Sequence, residues 1–146
     1  EELQKTFKTV DPKIEITTLL LTSPVAFMKT AGAFSLYTKP MWGTDYKEKQ
    51  TYQYMDFDEI IGFAEKMPDT YLITSSGDTL AKKQTIKLYE LLKKNGVSCE
   101  LANYGKEYGE TLPHVFSVLQ PFEPAGKDAI DKALAFYQNE MKQGVN

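Results

Sequence analysis

Asp78 and His114 are the two residues of this chain whose types and settings could do chemistry together. Asp78 ends a Ser75-Ser76-Gly77-Asp78 stretch directly after an apolar, β-branched run, and His114, the only histidine, also follows a strand-like run. A carboxylate that accepts the Nδ1–H of an imidazole fixes its tautomer and stabilises the cation formed when the ring takes a proton. The other ring nitrogen then serves as general base toward a hydroxyl nucleophile. Residue type and spacing leave a second reading open. A lone histidine in a loop is commonly a hydrogen-bonding surface residue, and Asp after Gly is commonly a turn or a helix N-cap.

The elements around the two residues favour bringing them together. Tyr71–Ser75 reads as a strand buried on both faces, because β-branched and apolar residues follow one another without polar alternation. Leu80–Asn95 reads as a helix: Leu88, Leu91 and Leu92 share a face, lysines line the other, and Asn95-Gly96 ends it. Val97–Tyr104 is the next strand, and the loop through Gly105, Gly109 and Pro113 delivers His114. An earlier strand, Ile16–Ser23, contains the run Leu19-Leu20-Leu21 and ends at Pro24. It reads as a central, buried strand. Helices separating buried strands imply right-handed crossovers and an α/β fold with at least three parallel strands and flanking helices. Consecutive strands then lie about 4.8 Å apart, so the Asp78 and His114 loops emerge side by side where open α/β sheets place their chemistry.

The remaining segments are less regular. Leu3–Phe7 reads as the end of a helix closed by Asp11-Pro12, and Phe57–Glu65 as a short helix with Ile60, Ile61 and Ala64 inward. Residues 26–56 carry Phe27, Phe34, Tyr37, Trp42, Tyr46, Tyr52 and Tyr54 without a sustained period. They form either a substrate wall or lid, or a loop-rich connection packing its rings on the sheet edge. Val115–Phe122 is apolar and irregular. The last helix spans Gly126–Gln143, with Ile130, Ala133, Leu134, Tyr137 and Met141 as its apolar stripe.

Composition limits the function classes. The 146 residues suit a single domain, and the net charge of −3 is spread over interspersed acids and bases. With no basic stripe, nucleic acid is not an expected partner, and with no apolar run of membrane length, no membrane span is expected. The expected location is cytoplasmic. Cys99 is the only cysteine and reads as a small buried hydrophobe, so neither an internal disulfide nor a metal or other cofactor site is expected. The chain starts Glu-Glu-Leu-Gln without Met, inside a helix-like segment, which suggests that a preceding part is missing.

Pro68–Leu80, a helix ending in Leu-Lys-Lys-Asn-Gly, the strand Ser98–Tyr104 and His114-Val115-Phe116 together resemble the α/β-hydrolase fold. Within it they look like the acetyl-esterase or hormone-sensitive-lipase-like branch. That branch carries its acid in an Asp-Pro-Leu-like turn, here Asp78-Thr79-Leu80, and its base in a His-Gly-Phe-like one, here His114-Val115-Phe116. Leu20-Leu21-Thr22-Ser23-Pro24 also resembles the family strand ending in Ser-Pro. The chain order Ser, Asp, His of the fold matches, provided that the Ser lies upstream. No Gly-x-Ser-x-Gly elbow and no His-Gly-Gly-Gly-type oxyanion loop occurs in these residues, and Val115 replaces a small residue beside the base.

The resemblance therefore implies a single partial domain, the C-terminal portion of an α/β-hydrolase fold. It would supply Asp78 and His114 to a serine carboxylic-ester hydrolase whose nucleophile lies outside residues 1–146. The implied substrate is a small ester. Ser23, Ser75 and Ser76 stand on no glycine-flanked elbow and are not expected to replace that nucleophile; hydroxyls at strand ends usually satisfy nearby backbone groups. The expected partner is either a second copy of the chain or the missing N-terminal half. The alternative is a non-catalytic α/β module that binds a small ligand or a protein.

Overall fold

Three strands make one parallel sheet in the order β1-β2-β3 in a computed structural model that describes residues 16–30, 35–45, 48, 56–108 and 111–143. The strands are β1 (Thr18–Thr22), β2 (Asp69–Ser75) and β3 (Cys99–Tyr104). Leu20 pairs with Tyr71 across one ladder, and Ile73 with Ala102 across the other. Around them lie α1 (Ser35–Trp42), α2 (Phe57–Ile60, continued by a 3-10 turn over Ile61–Lys66), α3 (Lys82–Lys94), α4 (Phe116–Leu119) and α5 (Pro124–Gln143). The α/β class with three parallel strands and flanking helices is as the sequence predicts.

The middle strand is buried from Thr70 to Ser75, as its unbroken apolar and β-branched run requires. Alternate side chains enter two separate cores. Leu72 packs with Leu88 and Leu92 of α3, with Val97 and Cys99, and with Ala26 and Phe27. Tyr71 and Ile73 face the other way, toward Tyr104, Leu112, Phe116 and the α5 residues Ala125, Ala129, Ala133 and Phe136. Complete burial of a side chain such as Leu72 is worth about 1.5–3 kcal/mol. Both faces thus hold β2 in place, and the loop at its C-terminal end inherits that rigidity.

Helix α3 ends as Asn95-Gly96 predicts. Gly96 has φ 78°, its N–H donates to the Lys93 carbonyl, and the Val97 N–H donates to that of Leu92. This is the paired closure that satisfies orphan carbonyls and turns the chain into β3. The start of α3 differs from the expectation. Leu80 and Ala81 lie in a turn before the helix, because their amides are taken by the Asp78 carboxylate.

Two other expectations are corrected. The predicted stripe of α5 is rotated relative to the buried face. Ala133 of the stripe is buried, with Ala125, Ala129 and Phe136, while Ile130, Leu134 and Tyr137 remain partly exposed; the Met141 side chain lies outside the described residues. Small alanines let the helix approach the sheet closely, and the Phe136 ring packs on Tyr71 with centroids 5.3 Å apart. Strand β1 has no second neighbour among the described residues, the open edge expected where a strand that is central in a larger sheet lacks its partner, and Leu20 is 45% exposed. Phe57–Glu65 is broken: non-helical backbone at Phe63 interrupts it, and Ile60, Ile61 and Ala64 are only half-buried.

The aromatic-rich segment is partly visible. Phe27 is completely buried against α3, the packing role expected of a connection, and Gln84 Oε1 accepts the amides of Ala26 and Phe27 at 3.0 Å each. Asp56, also fully buried, accepts from the amides of Asp58 and Lys29 and so ties this segment to the start of α2. Phe34, Tyr46, Tyr52 and Tyr54, the side chains of Tyr37 and Trp42, and the expected helix Leu3–Phe7 lie outside the described residues. Among the described residues, no helix is long and apolar enough to cross a membrane.

Candidate active site

The site begins at the C-terminal end of β2, where Ser75-Ser76-Gly77 turns the chain into Asp78. The Ser76 N–H donates to the last carbonyl of β3, that of Tyr104, at 2.7 Å, so the two strand ends stay paired as their loops diverge. The loop after Tyr104 returns to this turn. The Ser75 hydroxyl donates to the Leu112 carbonyl at 2.7 Å. Gly77 makes the contact possible, since a Cβ there would overlap the Leu112 carbonyl oxygen and the Thr111 methyl. Leu112 is itself buried under the sheet end. Pro113 and His114 follow directly from this anchor.

His114 Nδ1 lies 3.0 Å from Asp78 Oδ1, so the structure brings the two sequence-predicted site residues together. The carboxylate is completely buried, while 28% of the histidine side chain remains exposed. Oδ1 also accepts the amides of Leu80 at 3.1 Å and Ala81 at 2.8 Å. Burial alone raises the Asp78 pKa. The Ala81 amide, the Ser23 hydroxyl and His114 together outweigh that effect and hold it below the ordinary carboxylate value. The carboxylate is therefore ionised at neutral pH and can only accept. The proton of that contact then sits on Nδ1, and Nε2 is the ring nitrogen placed to act as a base.

The three serines weighed as nucleophiles occupy other roles. Ser75 is buried and spends its hydroxyl on Leu112. Ser23 is buried at the end of β1, and its Oγ accepts the Val115 amide at 3.2 Å. Ser76 is exposed, on the turn whose amide pairs with β3. The hydroxyls of Ser75 and Ser23 do satisfy backbone groups, but those groups are distant in sequence rather than local. Sequence reasoning missed this clamping, and likewise the Thr22–Ser117 hydroxyl pair at 2.8 Å, which joins the end of β1 to α4. The only available signal was a Thr-Ser pair at the C-terminal end of a parallel strand.

Among the described residues, no group of three or more His, Cys, Asp or Glu side chains could hold a metal ion. Cys99 is buried, and burial raises its thiol pKa, so it packs as an inert side chain.

No family model matches the chain, and no curated protein matches it. Solved structures do. Esterase B from Lactobacillus rhamnosis shares the fold with a TM-score of 0.76 at 22% identity, over 98% of this chain and 46% of that one. The same esterase with a C4-C4 SN3 tributyrin phosphonate inhibitor matches with a TM-score of 0.74 at 19% identity, over 97% of this chain and 46% of that one. Its C6-C4 SN3 inhibited form matches at 0.70 and 20% identity, over 99% of this chain and 49% of that one. The fold is therefore the one expected from the sequence resemblance, and the chain spans about half the length of these esterases.

Proposed function

We propose that this chain supplies the acid and the base of a serine carboxylic-ester hydrolase, an esterase or lipase, and that the nucleophile belongs to a segment outside residues 1–146. The observation that carries this reading is the 3.0 Å contact between His114 Nδ1 and a fully buried, ionised Asp78.

Each residue then has a defined role. His114 Nε2 takes the proton from the serine hydroxyl as that oxygen attacks the ester carbonyl. It returns the proton to the leaving alcohol, and repeats the cycle with water to release the acid. Asp78 keeps the ring in the Nδ1–H tautomer and stabilises the imidazolium through both proton transfers without itself being protonated. The oxyanion donors, like the nucleophile, would come from the remainder of the fold. The segment supplying them would lie N-terminal to this chain, pair with the open edge of β1 and make residues 1–146 the C-terminal half of the domain.

The test uses the full reading frame that contains this chain. A Gly-x-Ser-x-Gly elbow upstream of Glu1 is expected, and its absence would favour a non-catalytic binding module. Tributyrin and short-chain p-nitrophenyl esters are the substrates to assay, given the inhibitor bound by the similar esterase. His114→Ala should lower kcat by roughly 10⁴-fold or more at neutral pH. Near-normal turnover by that variant would remove His114 from the mechanism.

A further inference from the structure

Ser23 does more at this site than close a strand. It is buried and has φ 47°, a left-handed conformation that residues other than glycine rarely adopt. Its N–H donates to the Ile73 carbonyl at 2.8 Å, which extends the β1–β2 ladder and fixes the backbone in that conformation. Its hydroxyl is thereby aimed at the histidine loop. There it accepts the amide of Val115 at 3.2 Å, and Val115 is itself left-handed, with φ 50°. A β-branched residue at positive φ needs an anchor. The anchor is Ser23, and the residue it steadies is the one directly after His114.

We propose that Ser23 is a positioning residue of the acid–base pair, holding the His114 loop in register with Asp78 through its hydroxyl. This rests on the esterase reading of the site. The hydroxyl has one proton and two lone pairs. One lone pair is committed to Val115, and the same hydroxyl is among the groups that hold the Asp78 carboxyl pKa below its ordinary value. One side chain at the end of β1 thus holds the loop after β3 by a hydrogen bond and favours the ionised carboxylate after β2. The adjacent hydroxyl pair, Thr22 to Ser117 at 2.8 Å, secures the far side of the same loop. Movement of β1 relative to its neighbours would consequently reach the base before it reached the substrate.

Ser23→Gly in the full-length protein tests this, because glycine keeps the left-handed backbone while losing the hydroxyl. The expected result has three parts. The Val115 amide exchanges about tenfold faster. The kcat for a p-nitrophenyl ester falls by roughly 10- to 100-fold with KM little changed, the size of loss that slight misplacement of a reacting group produces. The melting temperature falls by no more than several degrees, as loss of one hydrogen bond requires. Unchanged exchange at Val115, or wild-type kcat, would overturn the proposal. A lowered melting temperature together with wild-type kcat would make the hydroxyl a support of the fold alone. If the wild-type protein hydrolyses no ester, the esterase reading fails, and the positioning role is judged on exchange and on the ¹⁵N shifts of the His114 ring. A mixture of tautomers in Ser23→Gly supports the role, and an unchanged Nδ1–H tautomer overturns it.

Discussion

Asp78 illustrates how one carboxylate can be both structural and chemical. Its Oδ1 accepts two amides ahead of α3 and the ring N–H of His114. Asp78→Asn keeps the size of the side chain but offers an amide that can donate, which favours the wrong imidazole tautomer. In the full-length enzyme the expected loss is about 10⁴-fold in kcat with KM little altered, read from steady-state kinetics. The same carboxylate governs acid stability. Because its pKa in the folded chain lies below the usual 3.8, its ionised form stabilises the fold at higher pH. That contribution is lost as pH falls below 3.8 through the folded-state pKa. Asp78→Asn should therefore show a shallower loss of melting temperature on acidification below about pH 4 than the wild type. Equal slopes would mean that Asp78 does not titrate with folding.

At the scale of elements, the site depends on how closely the loop after β3 approaches the turn after β2. Gly77 is the contact point, with the Leu112 carbonyl where a Cβ would stand. Gly77→Ala should force the two loops apart, costing about 1–3 kcal/mol as overpacked sites do and stretching the His114–Asp78 bond. Urea unfolding would measure the first effect and ester turnover the second; an alanine variant that matched the wild type in both would show that the loops yield easily. Helix α5 makes a related close contact, since a Cβ on Gly126 would overlap the Gln120 carbonyl oxygen. Its alanines and Phe136 rest on Tyr71 and Ile73, and Tyr104 donates to Asp128 at 2.6 Å from the edge of the same core. The helix thus braces both strands that carry the site loops.

On the scale of the whole molecule, β1 leaves one edge of the sheet without a partner among the described residues. The partly exposed Leu20, together with Ile130, Leu134 and Tyr137 of α5, adds apolar surface. No charge or proline interrupts Thr18–Thr22, so the edge lacks the usual protection against pairing with another chain. Residues 1–146 alone should accordingly self-associate and hydrolyse no ester. Light scattering should give a mass above the 16.6 kDa of one chain, and Leu20→Lys should shift it toward the monomer. A wild-type monomer with the edge open to solvent would contradict the argument. The segment proposed to carry the nucleophile would compete with this self-pairing, and its addition should restore a monodisperse, active species.

The amino-acid sequence by itself determined the parts whose cause is local. The run Thr70–Thr74 could only be a strand buried on both faces, Asn95-Gly96 could close α3, and the alternation of strand and helix made the sheet parallel. Asp78 and His114 followed neighbouring strands, so their loops were expected side by side, with a surface histidine and a turn aspartate left open as the other reading. What tertiary structure decided were the interactions between residues far apart in the chain. Ser23 reaches Val115, Thr22 reaches Ser117 and Ser75 reaches Leu112. Nothing near a serine in sequence tells which distant amide or carbonyl will lack a partner until the strands align. The buried face of α5 was decided in the same way. Periodicity marked Ile130, Leu134 and Tyr137, but packing on β2 selected Ala125, Ala129, Ala133 and Phe136, a choice that depends on which face meets the sheet.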